Sequence, residues 1–132
     1  MEGLALGGSK RKTGVDAVAE IISILFMSRD FAHKAHLKTS SYSEHNALGS
    51  FYDAVVGFAD SLAEVAQGKY GKFDIPTAIM KGSIEKPIKG LEMQMDDIVR
   101  LSMDCGNGAL KNIADEIEAL YLQTLYKLKE LS

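Results

Sequence analysis

Both prolines of this 132-residue chain, Pro76 and Pro87, fall in its middle. Proline removes a backbone donor and clashes with the preceding turn, so confining it there leaves two long flanks free to be helical. The apolar spacing uses that freedom. Val15, Val18, Ile22, Leu25 and Phe26 recur at steps of three and four, the helical and not the strand period, behind an approximate capping signature of Thr13 and Asp16. If the helix runs to Leu37, the same face carries Arg29, His33 and His36. The stretch Lys38–Ser43, KTSSYS, has no apolar period and reads as a turn, with Ser43 placed to cap a second helix whose first turn carries Glu44. His45, Gly49, Tyr52, Val56, Ala59 and Ala63 form a stripe along that helix, widened by Leu48, Val55 and Leu62.

Gly68 and Gly71 are read as its stop. From there to Pro87 no sustained period appears, and a segment of about 20 residues can run the length of a bundle at roughly 3.3 Å per residue. A third helix carries Ile88, Leu91, Met95, Ile98, Ser102 and Cys105; Gly-Asn-Gly at 106–108 ends it. The fourth has the strongest pattern, with Leu110, Ile113, Ile117, Leu120, Tyr121, Leu125 and Leu128 on its apolar side. The expectation is an all-α fold: a leader over 1–13, then one domain over 14–132. Its helices are expected near 14–37, 43–67, 86–105 and 108–131, with a crossover at 68–87. Short, long and short connections are those of a ferritin-like four-helix bundle with a long crossover between helices 2 and 3.

Composition narrows the function classes. A net charge of −3 and a pI near 5.6 argue against nucleic-acid binding by the whole surface. The basic run Lys10, Arg11, Lys12 is read as a solvated tail and not as a DNA contact. With a single cysteine, Cys105, no intrachain disulfide forms, which fits a reducing cytoplasm. There is no apolar run long enough for a membrane span, and the start of the chain lacks the apolar core of a secretory signal. Neither a Gly-x-x-x-x-Gly-Lys-Ser/Thr phosphate loop nor a Gly-x-Ser-x-Gly elbow occurs. Cys105 beside Gly106, at a helix end that disfavours a thiolate, is read as packing.

The chemistry-bearing residues are concentrated between 33 and 64. All three histidines, His33, His36 and His45, lie there, followed by Asp60 and Glu64 on one helix face. Imidazole with carboxylate suits iron or zinc. The bland alternative is a core or capping role for the histidines and ion pairs from the acids to Arg29, Lys34 or Lys38. Tyr52 is read as core in preference to a donor to such a site.

The pattern H-x11-H-x14-D-x3-E from His33 to Glu64, with the text FYDAVVGFADSLAE, resembles the ferroxidase signature of the Dps-type mini-ferritins over about 35 residues. That resemblance implies iron bound between subunits and oxidised there, with His33 or His36, His45, Asp60 and Glu64 as ligands. Aligning His36, followed by Leu37, in the first ligand position shortens the loop, and both alignments stand. Gly49 occupies the position where that family carries an acidic ligand. The wording AHKAHLKTSSYSEHNALGSFYD, together with NIADEIEALYLQTLYKL, also resembles uncharacterised small proteins of tailed bacteriophages, which implies a host-cytoplasmic setting. His45 and Asp60 lie 15 positions apart on one helix, roughly 22 Å at 1.5 Å per residue, so they cannot share one ion. A two-fold homodimer, or a larger homo-oligomer, would bring the acids of one copy beside the imidazoles of the other. Two functions therefore stand: an iron-binding protein with a site shared between subunits, or a non-catalytic oligomeric bundle without a metal.

Overall fold

The computed structural model describes residues 13–131, and the basic run Lys10–Lys12 and most of the leader lie outside them. Four helices account for the described fold: α1 (Gly14–Lys38), α2 (Tyr42–Tyr70), α3 (Pro87–Ser102) and α4 (Gly108–Glu130). No strand occurs among the described residues. The protein is an all-α four-helix bundle in which α1 and α4 each pack against both α2 and α3, and the pairs α1/α4 and α2/α3 are diagonal.

The helix ends follow local chemistry. Thr13 caps α1 by accepting from the Asp16 N–H, Ser41 caps α2 by accepting from that of Glu44, and Asn107 caps α4 by accepting from that of Leu110. Each satisfies an orphan donor of the first turn. Pro87 opens α3, where its missing N–H costs nothing. The second helix starts at Tyr42 with Ser41, not Ser43, as its cap, because the hydroxyls of KTSSYS offer several candidates and the turn closes early. It also runs through Gly68 to Tyr70 and ends only at Gly71, whose φ of 83° no other side chain adopts cheaply. Gly68 has an exposed, open setting, so it costs helix propensity without stopping the chain. The third helix ends at Ser102, short of Cys105, and the connection between α2 and α3 shrinks to residues 71–86.

Contacts fix the directions. Ser28 meets Gln94 and Phe31 meets Gly90, while Glu20 and Ile24 share a cleft with Asp97 and Leu101, so α1 and α3 are antiparallel. Phe51 packs on Tyr121, and Phe58 shares a cleft with Ile113, so α2 and α4 are antiparallel too. Since α1 and α2 form a hairpin, α2 and α3 run parallel, and residues 71–86 must return along the bundle. They do so over α1, with Ile75–Ala78 beside Phe26, Met27 and Asp30. The segment is pinned to the middle of α3: Gln94 Nε2 donates to the Lys81 carbonyl at 2.9 Å and Lys81 pairs with Asp97 at 2.7 Å.

The core is aliphatic with three aromatic anchors, Phe31, Phe51 and Tyr121, all fully buried. Each such side chain contributes roughly 1.5–3 kcal/mol by leaving water. Phe26, placed on the buried stripe by its spacing, is 42% exposed, because its side of α1 meets the connecting segment and not a helix.

Candidate functional site

The short turn between α1 and α2, residues 39–41, sets the last turn of one helix beside the first turn of the next. That brings His33 and His36 of α1 against His45 and Tyr52 of α2. The rings of His36 and His45 stack at 3.6 Å between centroids with 17° between planes, and His33 stacks on Tyr52 at 4.2 Å and 16°. His36 also meets Tyr52 edge-on at 5.2 Å. All three histidines are half-buried.

The stacked pair is closed by two reciprocal hydrogen bonds: His36 Nδ1 lies 2.6 Å from the His45 carbonyl oxygen, and His45 Nδ1 lies 2.9 Å from that of His36. A carbonyl only accepts, so each Nδ1 carries the proton and donates it. The His36 carbonyl is one of the last four of α1, which have no partner within the helix. His45 therefore caps α1 from the neighbouring helix. We call this arrangement the histidine clasp.

Its geometry decides what it can bind. An ion shared by two rings stacked at 3.6 Å would stand about 1.8 Å out of each ring plane, whereas a zinc–imidazole bond is only about 2 Å long and follows the in-plane lone pair. His36 and His45 as arranged cannot ligate one ion together. Asp60 and Glu64 do not join them: both are exposed, about four and five turns beyond His45 along α2. Among the described residues no three His, Cys, Asp or Glu groups are placed to hold a metal ion. The described residues of a single chain do not fit the iron centre that the mini-ferritin resemblance implies.

Nor do the acids take the ion pairs of the alternative reading. Arg29 pairs with its neighbour Asp30 at 3.3 Å and lies 5.7 Å from the Tyr52 ring centroid, and no ion pair among the described residues engages Asp60 or Glu64. Cys105 is buried as expected of packing; burial pushes its thiol above the ordinary value against the smaller pull of Lys111.

Position 49 links the clasp to the sequence. A Cβ built on Gly49 would come within 3.1 Å of His36 Cε1 and 3.2 Å of its Nδ1, so the missing side chain makes room for the ring. The spacing of His33 and His36 on one face was legible; the clasp was not, because it depends on the depth and angle of the turn at 39–41. The polar chain through Ser28, Gln94 and Tyr121 was missed as well. Its one sequence signal is a glutamine in the middle of the apolar face of α3.

With that geometry in place, comparison with known proteins adds a family. Residues 36–128 match a profile described as a family of unknown function, DUF5856. The chain belongs to DUF5856. The match begins at His36 and takes in His45, Gly49, Asp60, Glu64, Gln94 and Tyr121, so the DUF5856 region covers most of the bundle and nearly all of the clasp. No curated protein and no solved structure matches the chain. Among the described residues of this DUF5856 member, no helix is long and apolar enough to cross a membrane.

Proposed function

We propose that this DUF5856 protein is a non-catalytic helical bundle that acts by associating with further copies of itself, and that its histidines serve the α1–α2 hairpin. The observation that carries the reading is the clasp: the two imidazoles best placed for chemistry each spend their Nδ1–H on the other's backbone carbonyl. Charge supports self-association. Lys34 and Lys38 lie toward the turn end of the hairpin, and the unpaired Asp60 and Glu64 lie toward the other. Two copies with α2 antiparallel across a two-fold axis would set each acidic end over the partner's basic end, as an isologous contact requires.

A second reading is favoured by one specific observation, the exposure of Asp60 and Glu64 without an ion pair. In it, the acids of one copy complete an iron or zinc site with His33 and His45 of another, as the mini-ferritin resemblance implies.

Light scattering at physiological salt, with metal analysis of protein purified without a nickel column, tests both. The first reading expects a dimer or larger species without stoichiometric metal, weakened by Glu64→Lys. A monomer at all concentrations overturns it. About one iron per chain, lost in both His45→Ala and Glu64→Ala, would establish the second.

A further inference from the structure

We infer that Gly49 is the positioning residue of the histidine clasp, and that a side chain at position 49, a metal-binding carboxylate included, and a closed clasp exclude each other. Any ion held by this hairpin with help from residue 49 would require His36 to leave His45 first. The inference concerns contacts within one chain. It goes beyond the assembly reading, and it can fail or hold whatever the oligomeric state.

The space at Gly49 is tight on one side only. The nearest atoms to a built Cβ are Cε1 and Nδ1 of His36, at 3.1 and 3.2 Å, and no other group comes within 4 Å. A flexible neighbour could yield the few tenths of an ångström needed. His36 is held here: its Nδ1 is bonded to the His45 carbonyl at 2.6 Å, its face lies on the His45 ring and it packs nearly perpendicular to Tyr52. Moving the ring away from position 49 displaces Nδ1, the atom bonded to the His45 carbonyl, and so disturbs that hydrogen bond. A carboxylate there would add bulk on the same vector.

Gly57, two turns further along the same helix, is the internal control. It is exposed and nothing lies within 4 Å of its Cβ direction. Glycine inside a helix is unfavourable relative to alanine, so Gly57→Ala should raise the melting temperature. Gly49→Ala gains the same helix propensity but meets His36.

The test is a double-mutant cycle in the full chain, read by thermal unfolding and by the ¹H–¹⁵N spectra of the imidazole rings. Expected are a lower melting temperature for Gly49→Ala than for Gly57→Ala, and loss of the His36 Nδ1–H signal in Gly49→Ala with its retention in Gly57→Ala. In the His36→Ala background, Gly49→Ala should raise the melting temperature as Gly57→Ala does, since the obstructing ring is gone. Equal gains from Gly49→Ala and Gly57→Ala with unchanged ring spectra would overturn the inference, as would additive effects of Gly49→Ala and His36→Ala.

Discussion

Tyr121 and Ser28 sit on the diagonal helices α4 and α1, and the Tyr121 hydroxyl donates to Ser28 Oγ across the bundle centre at 2.6 Å. Ser28 Oγ donates onward to Gln94 Oε1 at 2.6 Å, and Gln94 Nε2 donates to the Lys81 carbonyl. One chain of hydrogen bonds thus joins α1, α3, α4 and the long connection, with all three side chains fully buried. Tyr121→Phe removes the first donor and leaves Ser28 bonded to Gln94, so it should cost about 1 kcal/mol in urea unfolding. Gln94→Leu leaves the buried Ser28 O–H without its acceptor and removes the donor to the Lys81 carbonyl, and should cost about 1–3 kcal/mol. Equal, negligible losses would show that the chain of bonds does not hold the diagonal.

The same tyrosine gives the fold an alkaline limit. Burial pushes its phenol well above the ordinary value and outweighs the opposing hydrogen bond to Ser28. Because the folded-state value is raised, the contribution is complete below the unfolded value of about 10 and declines as pH rises beyond it toward the folded value. Unfolding free energy measured upward from about pH 9.5 should therefore fall, and Tyr121→Phe should flatten part of that slope. An identical alkaline slope in the variant would contradict the assignment.

Asp97 sets an effect at the acid end. Partial burial alone would raise its carboxyl, but hydrogen bonds and charge from Lys81 and Arg100 outweigh that and hold it below the ordinary value. A lowered carboxyl contributes stability above its unfolded value of about 3.9, and the contribution is lost as pH falls through the folded value. Asp97→Asn should cost on the order of 1 kcal/mol near neutrality and converge with wild type in acid. A difference that stays constant from neutrality to pH about 2 would show that charge is not its source.

Where the connection meets α3, Gly90 packs against both Phe31 and Gly82, and a Cβ on Gly90 would overlap the Phe31 ring. Gly90→Ala should therefore destabilise by about 1–3 kcal/mol through overpacking, in spite of the better helix propensity of alanine. A rise in melting temperature would mean that Phe31 moves aside at no cost.

The helices could be read from residue order because each carries its own apolar period, sharpest in the leucine and isoleucine spacing of α4, and α1 adds the cap of Thr13 with Asp16. The end of α2 could not, since Gly68 and Gly71 look alike in sequence and only the backbone turn at Gly71 separates them. His33, His36 and His45 were recognisable as a group, but their use was not. Stacking depends on two helices meeting at one angle, and a ring that caps a neighbour's carbonyl has the same spacing as one that holds an ion. The Ser28–Gln94–Tyr121 chain joins residues up to 93 positions apart, a distance at which no local pattern carries information.

The central claim is that His36 and His45 are committed to each other and not to a shared ion. The most direct measurement is the two-bond ¹H–¹⁵N spectrum of the imidazole rings at neutral pH, before and after one equivalent of Zn²⁺. The clasp predicts a protonated Nδ1 on both rings and no joint, saturable change on adding the metal. A stoichiometric shift of the Nε2 atoms of both rings together, complete at one equivalent, would contradict it.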